Sequence, residues 1–164
     1  MYISGRAAVV TGGASGIGQA VARRIYADGG NIIIFDLNAE AGAAMVEEMG
    51  ADRCHFAQVN VADEASVQAG VDSGIDKFGA IYAVVNCAGI ANAAKTVGRD
   101  GAFPLDLWDK VIAVNQTGVF YCLKEELKIM TKQEKILEIE SLKKKSSELK
   151  KEVDYYNALQ LALF

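Results

Sequence analysis

The sequence predicts an α/β fold: a doubly wound parallel sheet of about four strands, followed by a long C-terminal helical segment. Three observations predict it. Short apolar runs alternate with helical patterns, a glycine-rich loop follows the first run, and the composition changes abruptly near residue 120.

Taken in order, Ala7-Ala8-Val9-Val10 is a short buried-strand run that ends in the glycine loop. Gln19 to Tyr26 continues as a helix, because Val21, Ala22 and Ile25 recur at three- and four-residue spacing. Asn31 to Asp36 reads as a second strand, Glu40 to Met49 as a helix, and Arg53 to Val59 as a third strand. Ala65 to Phe78 reads as a helix and Ile81 to Val85 as a fourth strand, with a further helix from about Leu107 through Phe120. Strands separated by helices of this length connect through right-handed crossovers, which makes the sheet parallel.

With 164 residues the chain can bury a substantial core, but it is short for a helix-wrapped sheet with a complete substrate site. A net charge of -4 gives no electrostatic case for nucleic acid, so small molecules or protein surfaces are the expected partners. Cys54, Cys87 and Cys122 match neither a CxxC nor a zinc pattern, which points to free thiols in a reduced compartment and to no metal. The first residues run straight into a strand, and no apolar run approaches the roughly 20 residues that span a bilayer. The expectation is a cytoplasmic protein with no membrane partner.

All 16 glycines and the only proline, Pro104, lie at or before Gly118; Lys, Glu, Leu and Ile then take over. This break divides the chain into residues 1–122, a nucleotide-binding part, and residues 123–164, a Lys/Glu-rich helical tail. Placing Ile139, Ser146, Val153 and Gln160 at one heptad position puts Leu142, Leu149, Tyr156 and Leu163 at the other. Such a seam suits a coiled coil and a homo-oligomer formed through the C-terminal helices. Leu123, Leu127, Met130 and Leu137 follow another register, so a break is expected near residues 134–138.

The loop Thr11-Gly12-Gly13-Ala14-Ser15-Gly16-Ile17-Gly18 lies between the first strand and its helix, where free N–H groups can meet a pyrophosphate. Asp36 ends the second strand, where a carboxylate can accept from both adenosine ribose hydroxyls and repel a 2′-phosphate. Neither Leu37 nor Asn38 supplies a compensating cation, which favours NAD over NADP. His55, the only histidine, reads as a structural strand residue.

The TGxxxGIG spacing of residues 11–18 resembles the short-chain dehydrogenases/reductases, and further matches accumulate along the chain. Asn86-Cys87-Ala88-Gly89-Ile90 is similar to the family's NAAG segment, and Val114-Asn115-Gln116-Thr117-Gly118-Val119-Phe120 is similar to its VNxxG-F stretch. The resemblance implies a truncated Rossmann-type fold with an NAD site formed by Gly12, Ser15, Gly16, Ile17, Gly18, Asp36, Asn60, Val61, Asn86, Ala88 and Gly89. It also implies that Asn115 holds a proton-relay water. Asn60 stands where the family usually has Asp beside the adenine. Residues 86–91, Lys95-Thr96 and Leu105 to Trp108 are similar to the type 2 3-hydroxyacyl-CoA dehydrogenases.

The family's second half supplies a catalytic Ser and a YxxxK pair. Laid over these motifs, residues 135–142 fall on the family's fifth strand and place Ser141 in the Ser position, and residues 156–160 place Tyr156 in the Tyr position and Gln160 where the Lys belongs. A neutral amide cannot lower a phenol pKa as an ammonium does, so this alignment implies impaired proton transfer. The competing reading makes the tail one long helix. Two functions follow: an NAD-dependent oxidoreductase acting on a secondary alcohol or ketone, with a 3-hydroxyacyl thioester as the leading substrate, or a non-catalytic truncated or chimeric domain with an oligomerising tail.

Overall fold

Uninterrupted runs of Ala, Val and Ile suit strands covered on both faces. β1 (Ala7–Thr11) and β2 (Asn31–Asp36) accordingly lie at the centre of the sheet, with Val9, Val10 and Ile32 to Phe35 wholly buried. The computed structural model describes residues 3–99 and 101–162, of which residues 155–162 are described by their backbone alone. β3 (Cys54–Gln58) and β4 (Ala83–Asn86) complete a four-stranded parallel sheet in the order β3-β2-β1-β4. Val9 stands opposite Ile33 on one side and Val84 on the other.

The helices are α1 (Gly16–Ala27), α2 (Ala39–Met49), α3 (Glu64–Phe78), α4 (Leu105–Ile112) and α5 (Val119–Ala162). Strand side chains alternate between the two faces. Val10, Ile32 and Ile34 meet Ala22 of α1 and Met45 and Met49 of α2. Val9, Ile33 and Phe35 meet Val67 and Val71 of α3 and Cys122 of α5. The Asn38 carboxamide accepts from the Ala41 N–H to start α2, and Asp63 accepts from Ala65 to start α3.

This topology positions the site. The chain steps from β1 to β2 to β3 in one direction and then returns through α3 to set β4 on the other side of β1. The helix after β1 covers one face and the chain after β4 feeds the other, so a crevice opens where their carboxyl ends part.

Several boundaries differ from the sequence reading. α1 begins at Gly16, because the glycine loop enters the helix directly with Ser15 extended at its cap. Between β4 and α4 the chain also forms a small hairpin, β5 (Val97–Gly98) and β6 (Gly101–Ala102), which the sequence reading did not include. The helix expected from Leu107 through Phe120 is interrupted by a π-helical stretch at Ala113–Gly118. That stretch coincides with two fixed contacts, Asn115 on Ile90 and Gly118 on Val61, where a Cβ would stand 3.0 Å from the Val61 carbonyl oxygen.

α5 is helical throughout Val119–Ala162, so residues 135–142 form neither a fifth strand nor the break expected near residue 134. The chain divides into two compact units between Met130 and Thr131. The first contains the sheet and the start of α5. In the second, Ile136, Leu137, Ile139, Leu142, Leu149 and Val153 are exposed.

Within the first unit, two adjacent glutamates of α5 have opposite environments. Lys128 and Lys124 pair with Glu125, and the Lys128 hydrogen bond in particular holds its carboxyl below the ordinary value. Glu126 is wholly buried, neither of its oxygens has a partner, and burial pushes its carboxyl up to about 8.

The folded chain therefore keeps a proton on Glu126 that the unfolded chain releases above its ordinary value of 4.5. This group's contribution is complete at low pH and is lost as pH rises from 4.5 through about 8. Glu126→Gln should flatten that slope and stabilise the chain at pH 9 by on the order of a few kcal/mol. Urea unfolding of both proteins at pH 5 and pH 9 measures the effect, and equal slopes would refute it.

Candidate functional site

At the crevice, the wholly buried Thr11 uses every hydrogen-bonding position of its hydroxyl. Its Oγ1 accepts from the N–H groups of Cys87 at 3.0 Å and Ala88 at 3.1 Å and donates to the Asn86 carboxamide oxygen at 3.4 Å. Gly12, with φ 62°, brings its backbone against the same segment: a Cβ there would lie 2.9 Å from the Ala88 N and Cα. Gly18 presses on the Gly12 carbonyl, where a Cβ would overlap it. Gly16 has φ 52° and faces open space, as a loop meeting a ligand requires.

These contacts leave a cleft of about 380 Å³. Gly12, Ser15, Gly16, Ile17 and Gly18 line it from the loop, and Asp36, Asn60, Val61, Ala88 and Gly89 line it from the ends of β2, β3 and β4. The side chain of Ile17 is 78% exposed, although large aliphatic groups favour burial. Asn86 is not among the lining residues; its carboxamide joins Thr11 instead. Leu37, Val59, Cys87, Ile90 and Val114 also line the cleft, though none was among the site residues expected. Their only signal was adjacency to residues already singled out.

Both oxygens of the Asp36 carboxylate are held by the backbone. One carboxylate oxygen accepts from the Ala14 N–H at 3.1 Å, and the other accepts from the Asn38 N–H at 3.0 Å. Each oxygen retains acceptor capacity for a ribose hydroxyl, so capping the turn does not consume the group. The Asn60 Oδ1 accepts from the Ala62 N–H at 3.1 Å, leaving the amide able to offer a base edge a donor without charge.

Asn115 lies on the π-helical stretch and grips the chain after β4 from both sides. Its Nδ2 donates to the Ile90 carbonyl at 2.8 Å and its Oδ1 accepts from the Ile90 N–H at 2.9 Å. Ser141 is exposed on α5 within the second unit. Tyr156 and Gln160 belong to the same helix, but their side chains lie outside the described residues, as does all of Leu163. Fifteen residues of α-helix separate Ser141 from Tyr156 by about 22 Å along the axis. On this helix the two cannot meet one substrate oxygen.

Other reactive groups lie away from the cleft. His55 Nε2 is 2.6 Å from Ser73 Oγ, and burial, with Lys77 nearby, holds the imidazole below its ordinary value. Burial raises the thiols of Cys54 to about 11 and Cys122 to about 12. Among the described residues there is no cluster of metal-ligating side chains, and no helix is long and apolar enough to cross a membrane.

The profile of the short chain dehydrogenase family matches residues 6–155, well into the Lys/Glu-rich stretch. The chain is 39% identical over 127 residues to a 2-dehydro-3-deoxy-L-rhamnonate dehydrogenase (NAD(+)) of a Sphingomonas species, covering 77% of this chain and 49% of that protein. It is 37% identical to the 3-hydroxyacyl-CoA dehydrogenase type-2 of Drosophila melanogaster, over 74% of this chain and 47% of the relative. It is 42% identical to a D-threitol dehydrogenase of Mycolicibacterium smegmatis, over 72% and 45%. The chain thus spans about half the length of the curated relatives it matches.

Thr11→Val keeps the side-chain shape but removes the hydroxyl. Cys87 N–H retains the Thr11 carbonyl at 3.2 Å, whereas Ala88 N–H loses its partner. Urea unfolding should show a loss of about 1–3 kcal/mol, and a loss below the error of the measurement would contradict the bridging role.

Proposed function

The chain belongs to the short chain dehydrogenase family, and on that premise we propose that residues 1–122 bind NAD in the Thr11–Gly18 cleft as an oxidoreductase domain. The observation that carries this reading is the cleft itself, with a glycine loop at a helix N-terminus and Asp36 facing it from the end of β2. The residues fit a dinucleotide. Close approach is open at Gly16, the first turn of α1 offers N–H groups for pyrophosphate, and Asp36 can take ribose hydroxyls while repelling a 2′-phosphate. The Sphingomonas relative is named for NAD(+), which supports the same choice.

When bound, NAD supplies the hydride acceptor. The reaction proposed is hydride transfer from a secondary alcohol to give a ketone, with a 3-hydroxyacyl thioester as the leading substrate, as the Drosophila relative's name suggests. Asn115 would position the chain after β4 and a water beside the reacting oxygen. Ser141 would orient the hydroxyl and Tyr156 would take its proton only if the tail refolded to bring them together. With Gln160 in the ammonium position, proton transfer would be weak, so turnover by this chain is proposed to be impaired. Three cysteines without disulfides accord with a cytoplasmic setting.

A second reading rests on a different observation. Ile139, Leu142, Leu149 and Val153 remain exposed along α5, although apolar side chains gain from burial. In that reading residues 123–164 form a coiled coil with a second copy, and the chain is a non-catalytic, truncated or chimeric nucleotide-binding domain.

Titration with NADH and NADPH tests the first reading. The wild type should prefer NADH, and Asp36→Asn, which retains one acceptor for the loop, should weaken NADH by about tenfold and narrow the preference. No NADH binding by the wild type would end this reading. NADH production across hydroxyacyl-CoAs and simple alcohols measures any remaining turnover. For the second reading, sedimentation should show an oligomer that Leu142→Lys with Leu149→Lys converts to monomer; a monomeric wild type counts against the seam.

A further inference from the structure

A second cavity, of about 640 Å³, lies on the other side of Ile90, where the segment after β4 folds over α4. Ile90 lines both spaces, and its two hydrogen bonds to Asn115 fix it between them. Val97, Phe103, Leu105, Trp108 and Val111 are the large apolar residues that join Ile90 in its wall. Asn92, Thr96 and Asn115 are its polar members, and no charged side chain among the described residues lines it. The size and the mix of many apolar and few polar groups are those of small-molecule sites, which run to about 300–1,000 Å³.

The order of strands decides what can lie there. Asp36 ends β2 and Ile90 follows β4, with β1 and its glycine loop between them. A dinucleotide with its adenosine at Asp36 and its pyrophosphate on the loop must end on the β4 side, beside Ile90. We propose that the cavity holds the apolar arm of the substrate, an aliphatic or aromatic chain carried by the secondary alcohol or ketone. The inference rests on the nucleotide reading of the cleft, and it narrows the substrate class.

The lining supports this occupant in two ways. Val97, Leu105 and Trp108 stay largely exposed on one patch, so an apolar chain would cover area that water now touches. A polyol would lose water from each hydroxyl against Phe103, Leu105 and Val111, which offer no hydrogen-bonding side chain in return. The cavity therefore selects against sugar alcohols.

Trp108 is the sole tryptophan in the chain, so its emission reports on this cavity directly. The full chain is titrated with 2-heptanone, 2-nonanone and 2-undecanone, with D-threitol as the polar probe. The ketones should give a saturable blue shift whose affinity rises with chain length, by up to about tenfold per two methylene groups; threitol should give none. Leu105→Asp should abolish the response, and because Leu105 is 76% exposed the substitution leaves the core intact. An equal response to threitol, or no dependence on chain length, overturns the proposal. So does a shift that follows protein concentration instead of ketone, since a second copy would then be the occupant. NADH is titrated separately: NADH binding without a ketone response defeats this inference alone, whereas absence of NADH binding defeats the nucleotide reading on which it rests.

Discussion

The Thr11 hydroxyl holds the carboxyl ends of β1 and β4 together at the point where the chain reverses direction across the sheet. Main-chain pairing ends there, since Thr11 and Asn86 are the last paired residues of the two strands. Beyond them the Cys87 N–H still reaches the Thr11 carbonyl, but the Ala88 N–H depends on a side chain, and the one threonine hydroxyl accepts from both. With the β4 end secured, Gly12 can lie against Ala88 with no room for a Cβ, and Gly18 can close on Gly12. The loop, the first turn of α1 and the chain after β4 then face one another across the cleft.

The same arrangement explains why Asn115 matters structurally. The chain after β4 is held at Cys87 and Ala88 by the Thr11 hydroxyl, and its next fixed point is Ile90, held through both backbone groups by the Asn115 carboxamide. Ile90 lines both the nucleotide cleft and the apolar cavity. A change in the π-helical stretch would thus move a wall common to both spaces. π-Helical turns are rare and occur often at functional positions, where an inserted residue turns a side chain toward a site.

The beginning of α5 joins the core despite its Lys/Glu-rich composition. Cys122 and Glu126 are wholly buried and Ile129 packs against the same cluster. Lys124 reaches Glu64 of α3, and Lys128 approaches Gln68 of the same helix. Packing in the first unit therefore continues past the residue at which the glycines stop. A helix can carry charged residues on its outer face and still bury the other, so composition changes earlier in the chain than packing does. The exception is Glu126, a carboxyl on the buried face whose solvation nothing in the fold replaces.

By itself the sequence determined the parallel α/β class, the four strands with ends accurate to within two residues, the glycine loop and Asp36, because apolar period, glycine placement and strand-end chemistry are local properties. It also placed Asn60, Val61, Ala88, Gly89 and Asn115 as residues of interest through motif resemblance alone. Only the tertiary structure decided how these residues meet: that Asn86 turns to Thr11 instead of the cleft, that Asp36 serves both its turn and the loop, and that Asn115 grips Ile90. It likewise decided between helix and strand for residues 135–142, where the family alignment implied a strand and the heptad spacing a helix. The small hairpin and the apolar cavity were illegible for the same reason. Each arises from contacts between segments distant in sequence or from a backbone turn without a strong residue signature, and spacing along one chain does not encode such distances.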